Sequence, residues 1–217
     1  MNKKPLRLGV FARYRINLKD LTKKLILLFS LSLGLNYTVI AQEITPTEIQ
    51  LSTQEQTELN QGKVILKGEK GDYVGQVITM GNLDTAWEVL TDYNNFQNFL
   101  PNIISSEIIQ EEGDRKVFEQ INKVDLWLFE EQFTVQIAST ENKPQKIDFQ
   151  IVEGDLEQLQ GTWQIEKITA NQILVTHTVK VQPESNTEKL FFYGIYESTL
   201  EETLDAIAQE ITKRSKS

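Results

Sequence analysis

Three stretches in the second half of the chain alternate between apolar and polar side chains. Phe133, Val135 and Ile137 are separated by Thr134 and Gln136. Ile147, Phe149 and Ile151 are separated by Asp148 and Gln150, and Val175, His177, Val179 and Val181 by Thr176, Thr178 and Lys180. A period of two with one apolar face predicts antiparallel strands that are buried on one side and wet on the other. Turns fit at Glu112-Gly113-Asp114, Glu141-Asn142-Lys143-Pro144 and Thr169-Ala170-Asn171. Such short connections pair each strand with its sequence neighbour. The stretch from Lys116 to Phe129 has no clear phase, so its inward face stays open.

Ahead of this meander, Lys63 to Lys67 and Tyr73 to Met80 read as two strands joined by a loop over Gly68 to Asp72. Asn82 can cap a helix over Leu83 to Thr91, with Leu83, Ala86, Trp87 and Leu90 on one face. A second short helix over Asn94 to Leu100 should end before Pro101, because a residue preceding proline is pushed out of the helical region. Ser52 and Glu55 form a capping-box pattern for a short helix that Gly62 stops. At the other end Leu200, Leu204, Ile207 and Ile211 form an apolar helical stripe. Ser198 and Glu201 are placed to cap it, and the aromatic run Leu190 to Tyr196 is expected to be a separate or kinked turn. Strands, two short helices, a long meander and one closing helix make an α+β domain.

Charge divides the chain differently. Residues 1–41 hold eight Lys and Arg against one acid, Asp20, whereas the whole chain has 22 basic and 31 acidic residues and a net charge of −9. Directly after Lys23-Lys24 comes the apolar run Leu25 to Leu35, with Val39 and Ala41 beyond it. A basic start, a short apolar core and small or aliphatic residues two apart are the layout of an export signal, here cut after Ala41. The competing reading is a retained membrane anchor through 25–40, but the core is short of the roughly 20 residues a span requires. The expected organisation is a signal peptide over 1–41, a polar lead-in over 42–62, a ligand-binding domain over 63–213 and a tail over 214–217. The expected location is periplasmic or another extracytoplasmic compartment.

The chain has no cysteine and one histidine, His177. That removes disulfide frameworks, thiolate nucleophiles, cysteine-ligated zinc and iron–sulfur clusters, and leaves too few imidazoles for a histidine-rich metal site. No cofactor or metal is expected. With a sequence pI near 4.8, phosphate neutralisation of a nucleic acid is not expected either.

A curved sheet crossed by one amphipathic helix leaves room between them. Phe99, Phe133, Phe149, Trp163, Phe192 and Tyr196 are expected on or near that enclosed side, with Val175, Val179 and Leu200. The same residues could instead simply fill a core.

The segment Ala86-Trp87 to Leu90, Thr91-Asp92-Tyr93, Phe96 and Phe99-Leu100-Pro101-Asn102 resembles the helix–turn–helix of the START-like (SRPBCC, helix-grip) superfamily, in its polyketide cyclase/dehydrase and coenzyme Q-binding branch. Glu153-Gly154-Asp155, Gly161-Thr162-Trp163-Gln164 and the helix from Leu200 to Ile211 are similar to later segments of that branch, so the resemblance covers roughly residues 63–213. It implies a helix-grip fold: a curved antiparallel sheet, two short helices between the first strands, and a long C-terminal helix over the concave face. It also implies a deep apolar cavity for a lipid, quinone, sterol or polyketide. Trp87, Leu90, Tyr93, Phe99 and Pro101 correspond to positions that build the mouth and pack the small helices; none matches a catalytic position.

Two polar residues remain as candidates for chemistry. His177 shares the face of Val175 and Val179, and Glu153 continues the inward phase of Ile147, Phe149 and Ile151. If both point inward they could act as acid and base, as in a cyclase or dehydratase. The turn at Gly154 could equally rotate Glu153 into solvent. The reading carried forward is a monomeric, non-enzymatic carrier of a hydrophobic small molecule that makes transient membrane contact. The alternatives are that enzyme, or an acidic interaction module with a filled core. For protein recovered from its native host, intact mass should place the mature N-terminus at Gln42; a full-length cytosolic species would refute export.

Overall fold

The computed structural model describes residues 50–126, 129–184 and 189–216. The expected signal segment, its cleavage after Ala41 and the anchor alternative through 25–40 lie outside the described residues. Ser52 starts α1 (Thr53–Asn60) with the capping box read from sequence, its hydroxyl accepting from the Glu55 N–H. α1 is tied to the first strand by the Lys67–Glu55 ion pair.

Eight strands form one antiparallel sheet: β1 (Ile65–Glu69), β2 (Asp72–Met80), β3 (Ile103–Glu112), β4 (Arg115–Leu126), β5 (Phe129–Asn142), β6 (Lys146–Gly154), β7 (Leu156–Lys167) and β8 (Gln172–Pro183). Their spatial order is β1-β2-β8-β7-β6-β5-β4-β3. The connection from β2 to β3 therefore runs from one side of the sheet to its far edge. It consists of α2 (Leu83–Leu90) and a 3₁₀ turn (Tyr93–Asn98). Asn82 caps α2 through the Thr85 N–H, as its sequence predicts.

The second short helix is 3₁₀ rather than α. Its asparagines offer the backbone competing partners: Asn94 accepts from the Ile108 N–H of β3 at 2.8 Å and Asn95 bonds Asp92 at 2.7 Å. The turn is thereby pinned to the edge strand. Tyr93 and Phe96 face inward and pack on Phe118 of β4, with Tyr93 stacked at 4.5 Å between ring centroids.

The closing helix differs from its expected form. α3 (Lys189–Arg214) is one helix of 26 residues, about 39 Å long at 1.5 Å per residue. Ser198 lies inside it and caps nothing. Phe192 and Tyr196 continue the stripe of Leu200, Leu204, Ile207 and Ile211 at the same four-residue spacing, so the apolar face does not stop where the capping pattern suggests.

α3 is held most firmly at its C-terminal end. The buried Thr79 hydroxyl of β2 donates to the Ala208 carbonyl at 2.8 Å, and Arg214 reaches Asp92 at 2.8 Å and Glu210 at 2.9 Å. Leu204 sits over Gly75, where an added Cβ would stand 2.3 Å from the leucine Cδ1. The missing side chain on β2 lets the helix lie close to the β2–β8 pair.

Two single substitutions test the reading of α3. Leu204→Ala empties a fully buried site and should cost about 2–5 kcal/mol. Gly194 lies within the helix with nothing within 4 Å of an added Cβ. Gly194→Ala should therefore gain about 0.8–1 kcal/mol of helix propensity and raise the melting temperature by about 2–4 °C. Thermal and denaturant unfolding report both, and a destabilising Gly194→Ala would contradict a regular helix at that point.

Candidate functional site

The concave face of the sheet is not evenly covered. Under α3, the inward residues of β2 and β8 are short or already paired with the helix, and Val77, Val175, Val179 and Val181 are fully buried there. Beyond β8 the strands curve away and enclose a cavity of about 1150 Å³ between sheet, 3₁₀ turn and α3.

Its walls come from several elements. β5 gives Phe133, Val135, Ile137 and Ser139; β6 and β7 give Ile147, Phe149, Leu159 and Trp163; β8 gives His177; and α3 gives Phe192, Tyr196 and Leu200. Because the strands are antiparallel, the start of β5, the turn between β6 and β7, and the start of α3 share one end. Solvent-exposed wall residues Gln132, Asp155 and Gly194 mark that end as the mouth, together with Asn102 and Lys123. At the other end Tyr93, Phe96, Phe118, Ser139 and Ile147 are all buried, and they close the cavity.

His177 forms the centre of an aromatic stack. Its ring lies 3.7 Å from Trp163 and 5.4 Å from Phe149, nearly parallel to both. Trp163 is its direct cross-strand partner on β7. Phe149 belongs to the next strand and reaches His177 by lying across Gly161, where a Cβ would come within 2.8 Å of the Phe149 ring and 2.0 Å of the Thr178 carbonyl oxygen. Burial pushes the His177 pKa down to about 3, against a smaller upward pull from the Thr162 backbone. The ring is neutral at physiological pH, and its Nδ1 is enclosed with no hydrogen-bond partner.

Burial also shifts other polar groups in and beside the wall toward their neutral forms. Burial raises the pKa of the Tyr93 and Tyr196 hydroxyls and of the Glu141 carboxyl, which borders the Tyr93 hydroxyl. Tyr93 Oη and Glu141 Oε1 have no hydrogen-bond partner.

Of the residues expected at the site, Phe133, Phe149, Trp163, His177, Phe192, Tyr196 and Leu200 line the cavity. Val175 and Val179 do not: they share the face of His177 but lie in the strip where α3 rests on the sheet. Phe99 is also outside the wall, because the 3₁₀ turn points its ring outward beneath the Arg214 guanidinium, 5.4 Å away.

Glu153 is on the opposite, solvent-facing side of the sheet. In the β5–β6 register Ile151 pairs with Ile137 but Glu153 pairs with Gln136, so Val152 is an extra residue and the inward phase reverses across this bulge. The His177–Glu153 acid–base pair is therefore not assembled. A filled core is likewise corrected by the cavity itself.

Tyr93, Leu90 and Pro101, placed near the cavity by resemblance, are in its wall, whereas Trp87 is buried outside it. Phe96, Phe118, Ser139 and Leu159 escape the sequence reading. Phe118 lies in the stretch whose phase is ambiguous, and Ser139 continues the alternation of Phe133, Val135 and Ile137 by one more step, a signal that is present but polar.

The profile of polyketide cyclase / dehydrase and lipid transport proteins matches residues 82–208, more than half of the chain. The chain belongs to this family. Solved structures share its architecture at low sequence identity. The STAR-related lipid transfer protein from Xanthomonas axonopodis aligns with a TM-score of 0.56 and 15% identity, over 68% of this chain and 92% of that one. The Zhui aromatase/cyclase from Streptomyces sp. R1128 aligns with a TM-score of 0.53 and 16% identity, over 70% and 94%. A START superfamily protein from Mycobacterium smegmatis aligns with a TM-score of 0.52 and 13% identity, over 71% and 98%. Likeness at this identity is a likeness of fold. A search of curated proteins finds no significant sequence match. The helix-grip architecture of this polyketide cyclase / dehydrase and lipid transport family accounts for the position of its cavity.

The buried imidazole makes a pH prediction. An unfolded histidine titrates near 6.5 and His177 in the fold near 3, so between these values the unfolded chain binds one proton more than the native protein. This contribution favours the fold fully above pH 6.5 and is lost as pH falls, by about 1.4 kcal/mol per pH unit. Denaturant unfolding from pH 7 to pH 4 should show a shallower loss in His177→Gln than in wild type. Equal slopes would mean that the ring is not held neutral.

Proposed function

We propose that this chain is an exported carrier that encloses a hydrophobic small molecule, such as a lipid, quinone or polyketide-like compound, between its sheet and its C-terminal helix. The observation that carries the reading is the cavity: about 1150 Å³ walled mainly by aromatic and aliphatic side chains and open at one end. Taking about 30 Å³ per water molecule, it would otherwise hold on the order of 40 waters against apolar walls. Displacing them with an apolar body is favourable at about 25 cal/mol per Å² of surface removed from water.

The polar groups suit holding a ligand. His177 is a neutral ring held by stacking on Trp163 and Phe149, so it offers a ligand its edge and helps to fix the shape of the wall. Carriage and not turnover is the function proposed, because His177 is held neutral and Glu153 points into solvent on the other side of the sheet.

The basic, apolar N-terminal layout of residues 1–41 supports an extracytoplasmic location. In that setting a monomer would load and unload at a membrane, through the mouth beside the start of α3.

Protein purified without detergent from its native host should carry a defined lipophile in a ratio near one per chain, read by native mass spectrometry and by mass spectrometry of an organic extract. Recovery of the empty protein, together with failure to take up any long-chain apolar probe, would overturn the carrier reading. Chemical conversion of the extracted compound by the purified protein would replace it with an enzymatic one.

A further inference from the structure

The charge distribution along the cavity narrows the class of ligand, on the premise that the carrier reading holds. At the closed end the groups that face inward are Tyr93 from the 3₁₀ turn and Ser139 from β5, bordered by Glu141. His177 from β8 is in register with Trp163 and Ile147 toward this end, and Gln120 from β4 and Tyr196 from α3 also line the wall. None of these is a cation, and the one acid among them, Glu141, has a carboxylate oxygen enclosed without a partner.

The basic groups near this end are already matched with acids. Lys116, the cross-strand neighbour of Ser139, binds the Glu111 carboxylate and the Gly113 carbonyl and also attracts the Glu141 carboxylate, and Arg214 is held outside the cavity by Asp92 and Glu210. Among the described wall residues the basic side chain is Lys123, and it stands at the mouth with Asn102, Gln132 and Asp155. Asp155 there accepts from the Thr134 N–H at 2.8 Å.

An anion pushed to the closed end would lose its hydration and meet the Glu141 carboxyl, while the nearby ammonium, Lys116, is already shared between Glu111 and Glu141. An ion buried without a counter-charge is strongly disfavoured. We infer that the ligand is uncharged along all of its enclosed length, and that any ionised group it carries stays at the mouth, so that the cavity takes lipophiles charged at one end at most.

The span from mouth to closed end sets the probe. Phe133 and Ser139 both line the cavity on β5 and are six residues apart, about 20 Å at 3.3 Å per residue. A sixteen-carbon chain reaches across it. Binding of 16-hydroxyhexadecanoate and hexadecanedioate to the full chain should be compared by calorimetry between pH 8 and pH 6. The hydroxy acid can leave its carboxylate at the mouth and place its hydroxyl inside, so its affinity should be nearly independent of pH. The diacid must protonate one end to enter, so it should bind at least about 10-fold more weakly at pH 8. It should then recover by about 10-fold per pH unit as the competent fraction grows. His177, Tyr93 and Tyr196 remain neutral through this range, and any titration of Glu141, whose carboxyl pKa is raised by burial, would act on both probes and show in the hydroxy acid.

Equal affinity for the two probes at pH 8, or a diacid affinity that does not change with pH, would overturn the inference while leaving the carrier reading intact. Failure of both probes to bind would overturn this inference, because a chain charged at one end would then not be taken, and would leave the carrier reading to be decided by the native extract.

Discussion

One helix cannot cover eight strands. Strands lie about 4.8 Å apart, so an eight-stranded sheet measures roughly 34 Å across, whereas a helix with its side chains is about 10 Å wide. α3 therefore rests on the β2–β8 pair, where Gly75 admits Leu204 and valines suffice to fill the contact. Every inward residue beyond that strip needs another partner. Curvature brings the far strands round, the 3₁₀ turn closes one end with Tyr93 and Phe96, and the large aromatics of β5, β6 and β7 cover part of what remains. The cavity is the part they do not fill.

Most of the architecture is legible in the sequence because the meander alternates cleanly. The faces of β5, β6 and β8 follow from a period of two, and the caps of α1 and α2 follow from Ser52 and Asn82. What alternation cannot report is the distance from the face to whatever lies opposite. His177, Val175 and Val179 share a phase, yet only the first borders the cavity, because coverage depends on where a helix more than ten residues later in the chain crosses the strand. Glu153 shows the second limit: one unpaired residue, Val152, reverses the pattern, and a valine inserted into a run of Ile, Phe and Val leaves no mark in hydrophobicity. The unity of α3 is a third case, in which a local capping motif competes with a longer apolar stripe and the stripe prevails by burying more surface.

The site also shows how a histidine can lose its usual chemistry. Trp163 and Phe149 leave the imaginable protonated ring no hydration, and the imidazole becomes a flat, weakly polar element of an aromatic wall. Together with Tyr93, Ser139 and Tyr196 it gives the interior a polarity of dipoles rather than charges.

The division of the sheet into a strip beneath α3 and a curved remainder has an evolutionary meaning. The valines of the strip, the Thr79–Ala208 bond and the Arg214 pairs hold the fold together without bordering the cavity. Wall positions such as Phe133, Leu159 and Phe192 can then drift toward a differently shaped guest while the fastening of the helix stays as it is. Two lineages descended from this chain could come to hold unlike compounds and still melt at nearly the same temperature.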